Sequence, residues 1–377
     1  MAVQDSRGPT MINPSRLIAA REYRGLSKTE LAPKIGVTVQ ALTNYEKGDD
    51  QPKPENLASL VRELRFQPEY FQCGDFNSIP AESVTFRSRR SLTSKVRRMA
   101  VSRSKHASDI VSPAFRQRFR LPVLDLPDLT GETPEKAAEL LRSAWNLGQA
   151  PIDNVVHLLE SKGIEFYWMS IDSPCVDALS YWVNGQPFVF LNSFKEAGER
   201  ARFDVAHELG HLILHRHTQD VEDDSLAIVC RPIDVQSKEV ECEADRFASA
   251  FLLPEDQFIK EAPKSYALSD YMPLKNRWKV SIQAMVRRSY DLGLITRYVY
   301  EQNCRTVSAR GWRTKEPGEL SREQSSIHSS MLDKLLSKGI SADEFAREMC
   351  LGFTDFFELV PAAIHFATVP SCFDRTR

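Results

Sequence analysis

Residues 203–217, FDVAHELGHLILHRH, set four histidines and a glutamate into an otherwise apolar run. In a helix, residues four apart share a face, so His207 and His211 project the same way. Two imidazoles so spaced can bind zinc, and Glu208 between them can take a proton from the water that attacks a carbonyl. A catalytic zinc usually takes three protein ligands and keeps a fourth position open. The stretch KEVECEADRFASAFLLP, residues 238–254, offers the third. Glu241 and Asp245 are four apart and can both face the histidine helix. One carboxylate would bind the metal, and the other would orient a histidine by accepting its free N–H. Glu243 points roughly opposite to Glu241, and Glu239 falls off that face. His215, one turn past His211, stays near the same side. It could border the cleft and stabilise an oxyanion, or act as a hydrogen-bonded residue at the helix end. His217 reads as solvent-facing and His157 as a core or boundary residue.

These side chains need a scaffold, and the flanking sequence supplies mixed α and β signals. IEFYWMSI (164–171) and ALSYWV-NG-QPFVFLN (178–192) read as strands. Asn184-Gly185 between two apolar runs is a strong hairpin signal. TPEKAAELLRSAWNLG and IDNVVHLLESKG read as amphipathic helices before the strands. LKNRWKVSIQAMVRRSYDLGLIT reads as two helices with a turn near Val280-Ser281. A protein substrate would lie extended along the hairpin strand near Val189 to Asn192, as a strand added to a sheet edge.

Residues 13–72 have a different, purely helical pattern. Asn13-Pro14 suits a helix start. SKTEL is a capping box, with Ser27 as cap and Glu30 three residues later. A short second helix, a turn at Gly36 and a third helix closed by Gly48 make a helix-turn-helix. Pro33 lies inside the second helix and predicts a kink or an early end. Residues 82–120 then carry eleven basic side chains against only Glu82 and Asp109. A linker or helical connector is expected there, with Arg97 and Arg98 available to phosphates.

Five blocks in order resemble the ImmA/IrrE metallopeptidases: AAELLRSAWNLGQAPIDNVVHLLESKGIEF, ALSYWVNGQPFVFLN, RARFDVAHELGHLILH, ECEADRFASAFLLP and RWKVSIQAMVRRSYDLGLIT. The resemblance implies a zincin-like fold with His207, His211 and Glu241 as ligands of one Zn2+ ion and Glu208 as base. Family members cleave transcriptional repressors of mobile elements or stress regulons. The family often has asparagine where Asp245 stands, and aspartate keeps the acceptor. REYRGLSKTELAPKIGVTVQALTNYEKGDDQPKPENLASLVREL resembles the Xre/Cro-type helix-turn-helix. Thr38, Gln40, Thr43 and Asn44 would then meet base edges of double-stranded DNA, with Lys28 and Lys47 on phosphates. Relatives of this domain usually bind as dimers.

The chain of 377 residues, with a net charge of −2, 42% hydrophobic and 27% charged residues, fits two or three soluble domains. No apolar run is long enough for a membrane span, and MAVQDSRGPTMINPSR lacks a signal-peptide core. Seven scattered cysteines without a CxxC pair suit a reducing, cytoplasmic setting. The fold class expected is α+β multidomain. A flexible tail (1–12) precedes an all-α helix-turn-helix domain (13–72) and a basic connector (73–133). A zincin-like α+β metallopeptidase domain (134–300) and a mostly helical C-terminal region (301–377) follow. Function reads as a DNA-binding regulator fused to a zinc endopeptidase that acts on a regulatory protein. Two other readings compete: a repressor whose peptidase-like domain is a silent sensor, and an antitoxin of a mobile-element module that acts by protein contact.

Overall fold

The computed structural model of the chain describes residues 11–77, 85–87, 93–173, 176–193, 197–215, 238–265, 267–313 and 315–367. It opens with α1 (Pro14–Tyr23), α2 (Lys28–Lys34), α3 (Val39–Lys47) and α4 (Pro54–Leu64). Their starts are chemically marked. Asn13 accepts from the Ser15 N–H ahead of α1, Ser27 and Glu30 form the reciprocal box at α2, and Thr38 caps α3. Pro33 sits within α2, which ends one residue later, and Gly36 turns the chain at φ +73°. Buried Arg21 pins α1 to α3 through Glu46, at 2.5 Å.

Of the two forms open to the basic segment, the helical one is present. Helix α5 (Ser94–His106) runs through a π-turn at Ala107–Val111 into α6 (Ser112–Arg116). The sequence count of its acidic neighbours misleads, because the fold brings acids from far away. Lys95 meets Glu30 at 2.8 Å, Arg98 meets Glu22 at 3.5 Å and Arg103 meets Glu358 at 3.2 Å. Arg116 meets Glu165 at 2.6 Å and Arg118 meets Glu348 at 2.5 Å. An exposed pair such as Lys95–Glu30 contributes roughly 0–1 kcal/mol. The anchoring of α5 is buried instead: Ser102 Oγ donates to Ala19 O at 2.7 Å, and Ala100 and His106 are fully enclosed.

Within this segment lies a strand that the sequence pattern does not announce, β1 (Thr85–Arg87). The sheet is completed by β2 (Glu165–Met169), β3 (Ala178–Val183) and β4 (Gln186–Asn192), in the order β1-β3-β4-β2. Asn184 and Gly185 both take positive φ, 48° and 76°, and join β3 to β4 antiparallel. Strand β2 runs parallel to β4, and β1 antiparallel to β3. Strand β4 is therefore interior, paired on both sides. This overturns Val189 to Asn192 as an edge for substrate, since its ladder groups are already taken by β2 and β3.

Helices α7 (Pro134–Ala144), α8 (Val155–Ser161), α9 (Gly198–Leu214) and α10 (Lys238–Leu252) cover one face of the sheet. Helices α11 (Glu255–Glu261), α12 (Met272–Trp278), α13 (Ile282–Asp291) and α14 (Arg297–Ala309) extend that layer. Alternation along the strands sends Phe166, Trp168, Ala178, Val189 and Leu191 into this core. Tyr167, Met169, Leu179, Tyr181, Phe188 and Phe190 point to the other face. There they join the helix-turn-helix core and the C-terminal helices α15 (Ser326–Ser337), α16 (Ala342–Glu348) and α17 (Phe353–Leu359). Arg24 of α1 clamps Asp355 of α17 with bonds of 2.5 and 2.7 Å. The C-terminal helices thus share a core with the first domain, and α14 runs across the expected break at 300–301. Among the described residues no helix is long and apolar enough to cross a membrane.

Candidate metal centre

Helices α9 and α10 pack side by side, and Gly210, between the two histidines, lets them approach. A Cβ at Gly210 would lie 2.9 Å from Phe247 Cδ1 and 3.3 Å from Ala244 Cα. Both partners belong to the buried face of α10, so a side chain there would push that helix and its carboxylates outward.

His207, Glu208 and His211 are all buried on α9. Asp245 Oδ1 stands 2.9 Å from His207 Nδ1. A carboxylate only accepts, so Nδ1 carries the proton and Nε2 presents a lone pair. On the neighbouring turn, Glu243 Oε2 stands 3.0 Å from His215 Nε2, which places that proton on Nε2. Neutral His215 then accepts at Nδ1 from His211 Nδ1, 3.0 Å away, and His211 Nε2 is also a bare lone pair. Burial holds His215 below its usual range and pushes His211 down to about 4.

The two Nε2 atoms lie 3.0 Å apart. Glu241 Oε2 is 3.4 Å from the first and Oε1 is 3.3 Å from the second. Near neutral pH this places two lone pairs and one anion against each other, with no donor among the three. Such a set repels unless a cation sits between them. His207, His211 and Glu241 offer one ligand atom each, all within 4.8 Å of one another. Bonds of about 2.0–2.1 Å in a tetrahedron set neighbouring ligands about 3.3 Å apart. The donor chemistry and the spacings both fit zinc.

Glu208 is fully buried, and Ser180 Oγ of β3 donates to its Oε2 at 2.5 Å. Sequence reasoning missed Ser180, since nothing in a strand pattern marks a hydroxyl that will meet a glutamate 28 residues on. It also missed Glu243 as the partner of His215, having rejected it only as a ligand. His157 is exposed on α8, not in the core or at its boundary, and Glu239 is exposed. Cys242 is a free, exposed thiol. His217 and Cys230 lie outside the described residues.

On the N-terminal domain, Thr38, Gln40 and Lys47 are exposed, with Thr43 and Asn44 partly so. Thr38 Oγ1 is engaged with the Ala41 N–H, and Gln40 Nε2 donates to Asn44 Oδ1 at 2.9 Å. Thr43 Oγ1 donates to Val39 O at 2.8 Å. Gln40 and Asn44 thus form one amide pair on the outer face of α3. Lys28 pairs with buried Glu46 at 3.1 Å, a carboxylate it shares with Arg21. Arg97 is partly buried and Arg98 is exposed beside Glu22.

Comparison with known proteins separates the same two parts. Residues 159–290 match the IrrE N-terminal-like domain of the M78 peptidases, and residues 17–71 match a helix-turn-helix family. An uncharacterized HTH-type transcriptional regulator, y4wC of Sinorhizobium fredii, is 32% identical over 82 residues. That match covers 21% of this chain and 57% of the relative's length.

Proposed function

From a helix-turn-helix regulator joined to an M78 peptidase-family domain, we propose a DNA-binding protein that is also a zinc-dependent endopeptidase. The observation that carries this reading is the donor-free convergence of His207, His211 and Glu241 beside a buried glutamate. His207, His211 and Glu241 would hold one zinc ion. Bound there, zinc supplies a water of lowered pKa and polarises a carbonyl as a Lewis acid.

The chain's own residues do the rest. Asp245 fixes the tautomer of His207, and the Glu243–His215 pair fixes that of His211. Glu208, oriented by Ser180, takes the proton of the attacking water and returns it to the leaving amine. The substrate is an extended segment of a regulatory protein, such as a helix-turn-helix repressor of a mobile-element or stress-response system. It pairs with β3, the strand that carries Ser180, on the side where β1 lies, because strand addition suits flexible peptide over folded domain. Residues 13–72 bind an operator as a homodimer, through Thr38, Gln40, Thr43 and Asn44 on bases and Lys47 on phosphate, with Arg97 and Arg98 of α5 adding phosphate contacts. Residues 73–133 serve as a connector, 134–300 as the catalytic unit and 301–377 as a helical remainder.

Metal titration tests the site itself. The metal-free protein should take up about one zinc per chain, and His207→Ala/His211→Ala should take up none. Undiminished zinc in that double variant would contradict the assignment.

A further inference from the structure

We infer that Thr85–Arg87 is a built-in competitor of substrate, held on the one strand edge that serves Glu208. The inference rests on the peptidase reading above, and its geometry is independent of it. Strand β3 has two sides, and β4 occupies one. On the other, Thr85 pairs with Ser180, Phe86 with Leu179 and Arg87 with Ala178, antiparallel. Ser180 is the residue whose hydroxyl meets Glu208 at 2.5 Å. Strand β1 also packs against α9, the helix of His207 and Glu208. A peptide adding to β3 beside Glu208 therefore needs the ladder groups that β1 already uses.

The three described residues of β1 pair with β3 through one short stretch of ladder. A segment of the same chain competes at an effective concentration that reaches millimolar for short tethers. The apparent affinity for any peptide then falls by the fraction of molecules whose edge is open. Beyond the segment on either side, described residues bond to the DNA-binding helices. Before it, Asn13 Nδ2 donates to Cys73 O at 2.9 Å; after it, α5 bonds to α1 through Ser102 and Ala19 at 2.7 Å. The competitor is thus tethered to the domain that reads DNA, and its release is set where the two functions meet.

The test uses the full-length, zinc-loaded Glu208→Gln protein and a labelled peptide of residues 80–92, the chain's own sequence supplied in trans. Thr85→Pro removes the ladder N–H opposite Ser180 and disfavours pairing, whereas Thr85→Val keeps a strand-forming residue. Peptide affinity should rise about tenfold or more in Thr85→Pro as the open fraction increases, and stay at the parent value in Thr85→Val. Equal affinity in Thr85→Pro and the parent overturns the inference. Hydrogen exchange on the protein with Thr85 in place gives a second readout. Saturating peptide should speed exchange at 85–87, and unchanged exchange would count equally against displacement. With Glu208 restored, tighter peptide binding without any cleavage would sustain the competing strand while sinking the peptidase reading.

Discussion

Ser180 Oγ lies 2.5 Å from Glu208 Oε2, joining the centre of β3 to the middle of the zinc-motif helix. Both residues are buried, so the hydroxyl fixes the carboxylate without competition from bulk water. Ser180→Ala should lower turnover by roughly 10- to 100-fold, the scale of a misplaced catalytic group. Zinc content should not change, and Ser180→Thr should restore most of the rate. Loss of zinc in Ser180→Ala would place the serine in the metal site instead.

Asp245 holds His207 from an exposed position, 2.9 Å from Nδ1. Asp245→Ala should weaken zinc affinity about 10- to 100-fold, as removal of a ligand's hydrogen-bond partner typically does. Asp245→Asn keeps an acceptor and should lose less. Competition with a chelator measures both. An unaltered affinity in Asp245→Ala would show that His207 needs no such partner.

Gly210→Ala opposes two effects of known size. Alanine gains about 1 kcal/mol in a helix over glycine, while overpacking costs typically about 1–3 kcal/mol. With Phe247 at 2.9 Å and Ala244 at 3.3 Å from the new methyl, overpacking should win. Urea unfolding should show a loss of stability, accompanied by weaker zinc binding as Glu241 recedes. A stabilised protein with normal zinc affinity would contradict the tight helix approach.

The site was readable where one helix carries two groups at a fixed spacing. His207 and His211 follow from i and i+4, and so does the pair Glu241 and Asp245. Contacts across the fold were not readable. Ser180 reaches Glu208 only because β3 crosses α9, and β1 shows no periodicity in three residues. The basic segment misled for a related reason: Arg98, Arg103, Arg116 and Arg118 find Glu22, Glu358, Glu165 and Glu348, none of them near in sequence. The hairpin was legible from Asn184-Gly185, but that both of its strands lie inside the sheet depended on β2 pairing with β4 and β1 with β3.

Lys28 and Lys47 separate folding from DNA contact. Lys47 is exposed at the end of α3, while Lys28 is tied to Glu46 at 3.1 Å. Lys47→Ala should reduce the salt slope of operator binding by about 0.9. Lys28→Ala should leave that slope nearly unchanged and cost under about 1 kcal/mol of stability. Gln40→Ala with Asn44→Ala should relax sequence preference, since each bidentate pairing with a base is worth about 1–3 kcal/mol of discrimination. Equal slopes for the two lysine variants would mean that Lys28 leaves Glu46 for phosphate.

His328 is buried against Phe115 and Tyr167, and burial pushes its pKa down to about 3. A histidine kept neutral when folded binds its proton only on unfolding. Its contribution is therefore full above the unfolded value of about 6.5 and falls as pH drops toward 3. Each such group gives a slope of about 1.4 kcal/mol per pH unit within that window. His328→Phe keeps the ring shape and should flatten the loss of stability between pH 6 and 4 by one group's worth. An unchanged slope would show that His328 titrates normally.

Glu208→Gln tests the central claim most directly. Glutamine keeps the shape and can still accept from Ser180, but it cannot take a proton from water. General base catalysis contributes typically about 10²–10⁴-fold. Cleavage of a regulatory-protein substrate should fall by that order, with one zinc per chain still bound and operator affinity unchanged. Cleavage at the wild-type rate by zinc-loaded Glu208→Gln would contradict the account.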